Sequence, residues 1–273
     1  MESQLIQQYM QEVKANKKYS TLADEIVLQE IKEYLRKNPT LKRVDKQSVK
    51  DIRAKLHRLY SSYLRGKKSK RDKLLQELKA NSENLNLINK ILASAVSTKE
   101  RLDDYQEIYK KIFQITGIPK TIIDLGAGLN PVSFSYMNLE QLNYYSYDID
   151  NQDIDFLNKY FEIMKSKGLN GKAEILNILD FKKIKNLPST DIVFMFKLLD
   201  LINTKNSKPG EELIKYLINN KTKFIIASFS TRTISGKPMN LPKRKGFELM
   251  LQRNNLKFQT IKTNNEIFYV IHK

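Results

Sequence analysis

Residues 122–131 have the sequence IIDLGAGLNP, an apolar run that enters a Gly-x-Gly turn. Because glycine has no side chain, a ligand can approach the backbone closely at such a turn. The carboxylate of Asp148 ends the next apolar run, 20 residues beyond Gly128. At that distance an acidic residue binds ribose hydroxyls in Rossmann-type crevices. The stretch therefore predicts the first strand and turn of a nucleotide-binding α/β fold.

Further side chains indicate which cofactor this crevice would take. Pro131 stands where dinucleotide-binding turns carry a third glycine, and Asp124, at the end of the first strand, is typical of S-adenosylmethionine (SAM) enzymes. Asp180 ends the third predicted strand, where it could accept a hydrogen bond from the adenine amino group while Phe181 packs against the ring. Each acid could instead cap a helix or a turn. Three acids after three successive strands favour a SAM site over a purely structural Rossmann-like fold.

Beyond residue 117, short β-rich runs alternate with helical segments, which predicts an α/β fold with a parallel sheet covered on both faces. The predicted strands are 121–125, 144–148, 173–179, 191–196 and 223–229, with helices at 153–167 and 211–219. The final runs, 256–263 and 266–272, are joined by two asparagines, a hairpin signal. We therefore expect a terminal antiparallel strand in an otherwise parallel sheet.

The N-terminal third has a different character. Residues 1–95 contain one proline and one glycine, and apolar residues recur at helical spacing within 26–35 and 52–63. The segment 66–71 has the composition of an exposed basic turn between helices. We predict a helical domain over 1–95 and a Rossmann-like domain over 96–273.

The charge of the chain is strongly positive and localised. Of the net charge of +18, most comes from residues 42–79, with 14 Lys/Arg against 4 Asp/Glu, and from residues 231–262, with 8 against 1. Concentrated positive charge attracts phosphate through counterion release, which favours a nucleic-acid partner. Two solvated helix faces are the alternative.

Composition excludes several classes of site. Without cysteine the chain has no disulfide, no thiolate nucleophile and no Cys-ligated zinc, and its two histidines lie 215 positions apart, so we expect no metal site. The N-terminus lacks a basic start followed by an apolar core, and no run approaches the roughly 18 apolar residues of a membrane span. We therefore expect a soluble, cytoplasmic protein.

Five motifs together resemble a known family. They are KLHRLY at 55–60, STKERL at 97–102, DLGAGLNP at 124–131, FKLL at 196–199 and SFSTRTISG at 228–236. The sequence is similar to the 16S ribosomal RNA guanine-N7 methyltransferases of the aminoglycoside-resistance type. The resemblance implies a class I SAM-dependent methyltransferase core preceded by a helical, RNA-docking N-terminal domain.

The turn and the resemblance together give a set of expected SAM contacts. These are Tyr60, Ser97, Arg101, Gly126, Gly128, Asp148, Asp180, Phe181 and Phe196. The resemblance implies that Arg101 pairs with the methionine carboxylate, that Gly126 lies under the methionine, and that Phe196 faces the pocket beneath the reacting base. It places Tyr60 and Ser97 at the periphery of the cofactor.

The implied reaction needs positioning more than proton transfer. Guanine N7 carries an unprotonated lone pair, so catalysis consists of holding the methyl carbon about 3 Å from N7 and in line. N7 points into the deep groove of A-form RNA, so the base would flip out. Arg232 is the candidate to stabilise the flipped nucleotide, and Lys197 to contact base or phosphate. Either could instead be an ordinary charge at a strand end.

The expected partner is 16S rRNA within the small ribosomal subunit. Basic residues of the helical domain would bind its phosphates and set register without reading sequence. They are Lys55, Arg58, Arg65, Lys67, Lys68, Lys70 and Arg71. The alternatives are a methyltransferase of the same fold acting on another RNA base, a non-catalytic ribosome-associated RNA-binding protein, and, least favoured, a nicotinamide dehydrogenase.

Overall fold

The computed structural model describes residues 2–60, 70–203, 208–233, 237–239 and 244–273. Within these residues, seven strands form one sheet in the order β3-β2-β1-β4-β5-β7-β6. The strands are β1 Thr121–Leu125, β2 Leu142–Asp148, β3 Leu169–Ile175, β4 Thr190–Phe196, β5 Thr222–Ser230, β6 Lys257–Lys262 and β7 Glu266–His272. This mixed α/β architecture confirms the predicted fold class.

Strand direction changes at the end of the chain. Strands β1 to β5 pair in parallel, whereas β7 pairs antiparallel with both β5 and β6. The predicted antiparallel terminal strand is therefore confirmed. The chain order reverses between β1 and β4, and ligands of open α/β sheets bind outside the carboxyl ends of strands at such a switch point.

Helices precede the sheet and cover both of its faces. They are α1 Glu2–Lys14, α2 Asp24–Lys37, α3 Lys46–Tyr60, α4 Arg71–Ala80, α5 Leu85–Leu92, α6 Val96–Lys99, α7 Tyr105–Thr116, α8 Asn151–Met164, α9 Phe181–Lys185, α10 Leu199–Ile202, α11 Pro209–Asn220 and α12 Lys245–Arg253. Residues Asn130–Tyr136 and Lys165–Lys167 form 3₁₀ turns. None of these described helices combines the length and apolar character needed to cross a membrane.

The third strand lies earlier than predicted. It occupies Leu169–Ile175 instead of 173–179, and its last pair joins Ile175 to Asp148 of β2. β3 is an edge strand of the described sheet, so alternating exposed polar residues are tolerated there and its apolar signal is weak. The stronger apolar run that follows it belongs to a loop, and Asp180 lies beyond the strand instead of ending it.

Packing divides the described chain into three apolar clusters. The first five of these helices split between two clusters. Helices α1 to α3 share their own core, whereas α4 and α5 pack with α7 and α8 on one face of the sheet. Helices α11 and α12 cover the opposite face. Ile149, just after β2, belongs to the cluster of α1 to α3 and joins it to the sheet. The division of the chain at residue 95 stays a prediction.

Candidate functional site

A small, mostly apolar cleft opens at the carboxyl ends of the parallel strands. Its lining comes from the segments that follow β1, β2, β3 and β4. The lining residues are Gly126, Asp148, Ile149, Leu176, Asn177, Ile178, Leu179, Leu198, Leu201 and Ile202. A mostly apolar cleft with one carboxylate and one amide is suited to a ligand that combines a flat apolar ring with a polar group.

The turn after β1 has the backbone conformation that the two glycines predict. Gly126 and Gly128 have φ values of 70° and 50°, in the left-handed region that side chains disfavour. A Cβ at Gly128 would meet nothing within 4 Å, so the space beside this turn is open. The Gly128 N–H donates to Asp148 Oδ2 at 2.8 Å, which ties the turn to the end of β2.

Asp148 is a buried carboxylate at the end of β2, with 2% of its surface exposed. Besides the Gly128 N–H, it accepts a bond from the Ile149 N–H at 2.6 Å. Burial, reinforced by repulsion from Asp153, raises the pKa of Asp148 to about 7 although these hydrogen bonds oppose the rise. Its protonation state therefore changes within the neutral pH range.

Asp124 lies at the end of β1 and is 1% exposed. Its Oδ2 accepts from the Tyr144 hydroxyl at 2.7 Å and from Asn130 Nδ2 at 2.9 Å. Its Oδ1 is buried and has no hydrogen-bond partner among the described residues. Burial raises the pKa of Asp124 to about 6. An orphaned buried acceptor is costly, and it fits a ligand that brings a donor, such as an amino group.

A buried charged cluster lies where α6, β4 and β7 meet. Glu266, 1% exposed, accepts two bonds from Arg101, at 2.9 Å from Nε and 3.0 Å from Nη2, and a third from the Ser228 hydroxyl. Lys197 Nζ lies 3.3 Å from Glu266 and also contacts Glu100. Burial alone would lower the pKa of Arg101, but the Glu266 carboxylate raises it above its ordinary value, so this cation stays charged.

The cluster brings three of the predicted functional residues together. The Arg101 guanidinium lies 4.9 Å from the centre of the Phe196 ring, a cation–π contact. Lys197 follows Phe196 with φ 54°, and its N–H donates to the Ser228 carbonyl at 3.1 Å. The strand end is therefore bent so that the ring and the ammonium group belong to one cluster.

Other predicted contacts lie apart from the cleft lining. Asp180 caps α9, accepting from the N–H groups of Lys182 and Lys183 at 3.1 and 3.4 Å, and neither it nor Phe181 lines the cleft. Ser97 is half-buried in α6. The side chain of Tyr60, at the end of α3, lies outside the described residues.

Arg232 lies on the surface just after β5. Its side chain is exposed, and its Nε donates to the Asn264 carbonyl at 3.1 Å. The backbone of Arg232 forms an isolated antiparallel β-bridge with Pro238. The guanidinium is thus partly engaged by a local carbonyl at the strand end.

Arg71 differs from its predicted place in an exposed basic turn. It is the first residue of α4, is 4% exposed, and its Nη1 lies 2.6 Å from Asp153 Oδ1 of α8. Its Nε also donates to Ser94 Oγ at 2.8 Å. Because this charge is neutralised inside the protein, the predicted phosphate contact is corrected to a structural ion pair between α4 and α8.

The remaining predicted RNA contacts have mixed positions. Lys55 lies 2.5 Å from Glu30 and 2.7 Å from Glu33, so acids of α2 already compensate its charge. Lys70 is exposed. The side chain of Arg58 and residues Arg65, Lys67 and Lys68 lie outside the described residues.

Sequence reasoning missed two parts of the site. Glu266 heads an otherwise apolar strand, EIFYVIH, and an acid in such a strand is the signal that could have identified it. The second part is the segment 176–179, which lines the cleft but falls within the predicted third strand, 173–179. Its apolar composition is equally compatible with a strand and with a binding surface.

Comparison with known proteins agrees with this geometry. The chain matches the model of a ribosomal RNA methyltransferase family, FmrO, over residues 16–270. It is 29% identical to a 16S rRNA (guanine(1405)-N(7))-methyltransferase of Proteus mirabilis, over 97% of this chain and 98% of the relative. A protein of the same name from Frankia casuarinae is 25% identical, over 83% of this chain and 80% of the relative.

A solved structure shows the same fold. The crystal structure of 16S rRNA methyltransferase RmtF in complex with S-adenosyl-L-homocysteine matches with a TM-score of 0.75 at 19% identity, over 98% of each chain. The family model matches nearly the whole sequence, and the chain therefore belongs to the FmrO family of ribosomal RNA methyltransferases.

Proposed function

We propose that this protein transfers a methyl group from SAM to the N7 atom of a guanine in the decoding site of 16S rRNA, where aminoglycosides bind. The two relatives above are named as methyltransferases of N7 of guanine 1405 in 16S rRNA. The observation that carries the proposal is the arrangement around the glycine turn at the sheet edge. Asp148 lines the cleft and accepts from the Gly128 N–H. Asp124 lies buried at the end of β1, on the other side of the turn in sequence, and its Oδ1 has no hydrogen-bond partner among the described residues. This arrangement supplies acceptors for a ribose and for an amino group.

The residues of the cleft fit SAM part by part. Asp148 would accept from the ribose hydroxyls, and Asp124 Oδ1 from the amino group of the methionine moiety. The apolar side chains of Ile178 and Leu179 would contact the adenine. When bound, SAM supplies a methyl group on a positively charged sulfur. The leaving group is the neutral thioether S-adenosylhomocysteine.

Outer contacts with the cofactor remain part of the proposal. Arg101 would share its guanidinium between Glu266 and the methionine carboxylate. Asp180 and Phe181 would close the adenine end, with Tyr60 and Ser97 at the periphery. Gly126 and Gly128 keep side chains away from the turn, so the backbone can approach the ligand.

The chain's own residues would work by orientation, because guanine N7 needs no general base. Phe196 is fixed by Arg101 and by ring contacts, with its centre 4.6 Å from that of Phe194. Its ring would support the flipped base. The Lys197 ammonium is oriented by two carboxylates, and the third of its N–H donors would contact an acceptor on the base or phosphate. Arg232 would bind the displaced nucleotide.

The helical region, predicted as residues 1–95, would dock on rRNA, and residues 96–273 would carry the reaction. The excess of positive charge in 42–79 supports this division. Among the predicted RNA-contacting residues whose side chains the structure describes, Lys70 is exposed. We infer a cytoplasmic enzyme that acts on the small subunit, where its substrate is located.

The test is transfer of a labelled methyl group from SAM to purified small subunits, with naked 16S rRNA and large subunits as alternative substrates. We expect label in 16S rRNA for the wild type and none for Asp148→Ala, with circular dichroism showing that the variant is folded. Absence of transfer by the wild type to every substrate would favour a non-catalytic RNA-binding role. Label in 23S rRNA alone would overturn the assigned substrate.

A further inference from the structure

The N-terminal helices contact the wall of the cofactor cleft. Asn177, which lines the cleft and is 6% exposed, donates from Nδ2 to Gln29 Oε1 of α2 at 2.7 Å. Its Oδ1 accepts from the Leu179 N–H at 3.0 Å. The Asn177 amide is therefore held at both ends, by its own loop on one side and by helix α2 on the other.

Further contacts fix α2 in place at the same wall. The Ala23 N–H, just before α2, donates to the Ile149 carbonyl at 2.9 Å, and Thr21 Oγ1 donates to Asp150 Oδ2 at 2.6 Å. Ile149 both lines the cleft and packs in the core of α1 to α3. Lys183 of α9 also lies 2.7 Å from Glu25 of α2. Gln29 is thus attached to a rigid support.

We propose that Gln29 is a positioning residue of the cofactor cleft. By holding the Asn177 amide it sets the backbone of 177–179, the apolar part of the lining that faces the adenine. Cofactor affinity then depends on a helix of the region assigned to RNA docking. This inference rests on the proposed function in one respect, that the ligand of the cleft is SAM.

The contact also gives a thermodynamic link between the two parts of the molecule. Binding free energies are reciprocal, so if α2 supports the cofactor site, a bound cofactor must equally stabilise the contact of α2 with the sheet. Loss of the Gln29 acceptor would therefore weaken cofactor binding and reduce the stabilisation that the ligand gives.

The experiment measures the affinity of S-adenosylhomocysteine by calorimetry in the full-length protein. Gln29→Leu removes the acceptor, Gln29→Glu retains one, and Gln8→Leu changes an exposed glutamine of α1 outside the cleft lining. Since Gln29 is exposed, leucine there leaves the core intact. We expect affinity three- to tenfold weaker for Gln29→Leu, as for loss of one hydrogen bond, and near wild type for the other two.

Kinetics provide a readout that a general structural defect would not reproduce. Gln29→Leu should raise the KM for SAM with little change in kcat, because the contact acts on ground and transition states alike. Unchanged affinity in Gln29→Leu, or an equal loss in Gln8→Leu or Gln29→Glu, would overturn the proposal. If the wild type itself bound no S-adenosylhomocysteine, the assigned cofactor would be wrong as well.

Discussion

Lowering the pH from 8 to 6 is expected to weaken the binding of S-adenosylhomocysteine by about tenfold. The reason is Asp148, whose pKa burial raises from 3.8 to about 7. In the proposed complex, the ribose hydroxyls would donate to the ionised carboxylate. Affinity should then follow the ionised fraction of Asp148, which is about one-tenth at pH 6 and about nine-tenths at pH 8. An aspartate with its ordinary pKa would be fully ionised at both values and would give no change.

The titration of Asp124 and that of the ligand itself also affect the size of this pH dependence. Asp124, with its pKa raised to about 6, is half ionised at pH 6 and adds about a factor of two. The ligand's own titration is removed by comparison with Asp148→Asn, which should bind more weakly throughout and show only the smaller, remaining pH step. The assay is calorimetry at half-unit intervals. An affinity in the wild type that is constant from pH 6 to 8, or an identical pH profile in Asp148→Asn, would refute the role given to this carboxylate.

Two substitutions test the buried ion pairs. Arg71→Met removes the cation that pairs with the buried Asp153, and it should lower the free energy of unfolding, measured in urea, by about 3–5 kcal/mol. As a control, Lys70→Met changes an exposed side chain and should alter the free energy of unfolding by less than about 0.5 kcal/mol. Equal effects of the two substitutions would show that Arg71 is not a structural residue. Glu266→Gln leaves Arg101 without its counter-charge and should lower the free energy of unfolding by about 3 kcal/mol in the same assay. A variant as stable as the wild type would contradict the account of this cluster.

The sheet was predictable where its strands are buried on both faces. The apolar runs of β1, β4 and β5 have lengths and boundaries close to those predicted, and the asparagine pair before β7 indicated the antiparallel end. β3 was misplaced because it is an edge strand with alternating polar residues, while the loop after it is more apolar. Local apolarity reports burial, and burial against a helix or beside a cleft gives the same pattern as burial in a sheet.

The site was predictable where its parts are close in sequence. The glycine turn and Asp148 are linked by a 20-residue spacing and meet as expected through the Gly128 N–H. Contacts between distant segments left no such signal. Arg71 belongs to a basic run that indicates exposure, but its partner Asp153 lies 82 residues away. Glu266, which binds Arg101 across 165 residues, could not be inferred from spacing.

The most direct measurement of the central claim is the chemical identity of the modified base. Small subunits treated with the enzyme and SAM would be reduced with borohydride and cleaved with aniline, a treatment that breaks the RNA chain at N7-methylguanosine, and the products read by primer extension. The account predicts one new scission in the decoding region of 16S rRNA, absent with Asp148→Ala. A methylated 16S rRNA that resists this cleavage would place the methyl group on a different atom and contradict the account.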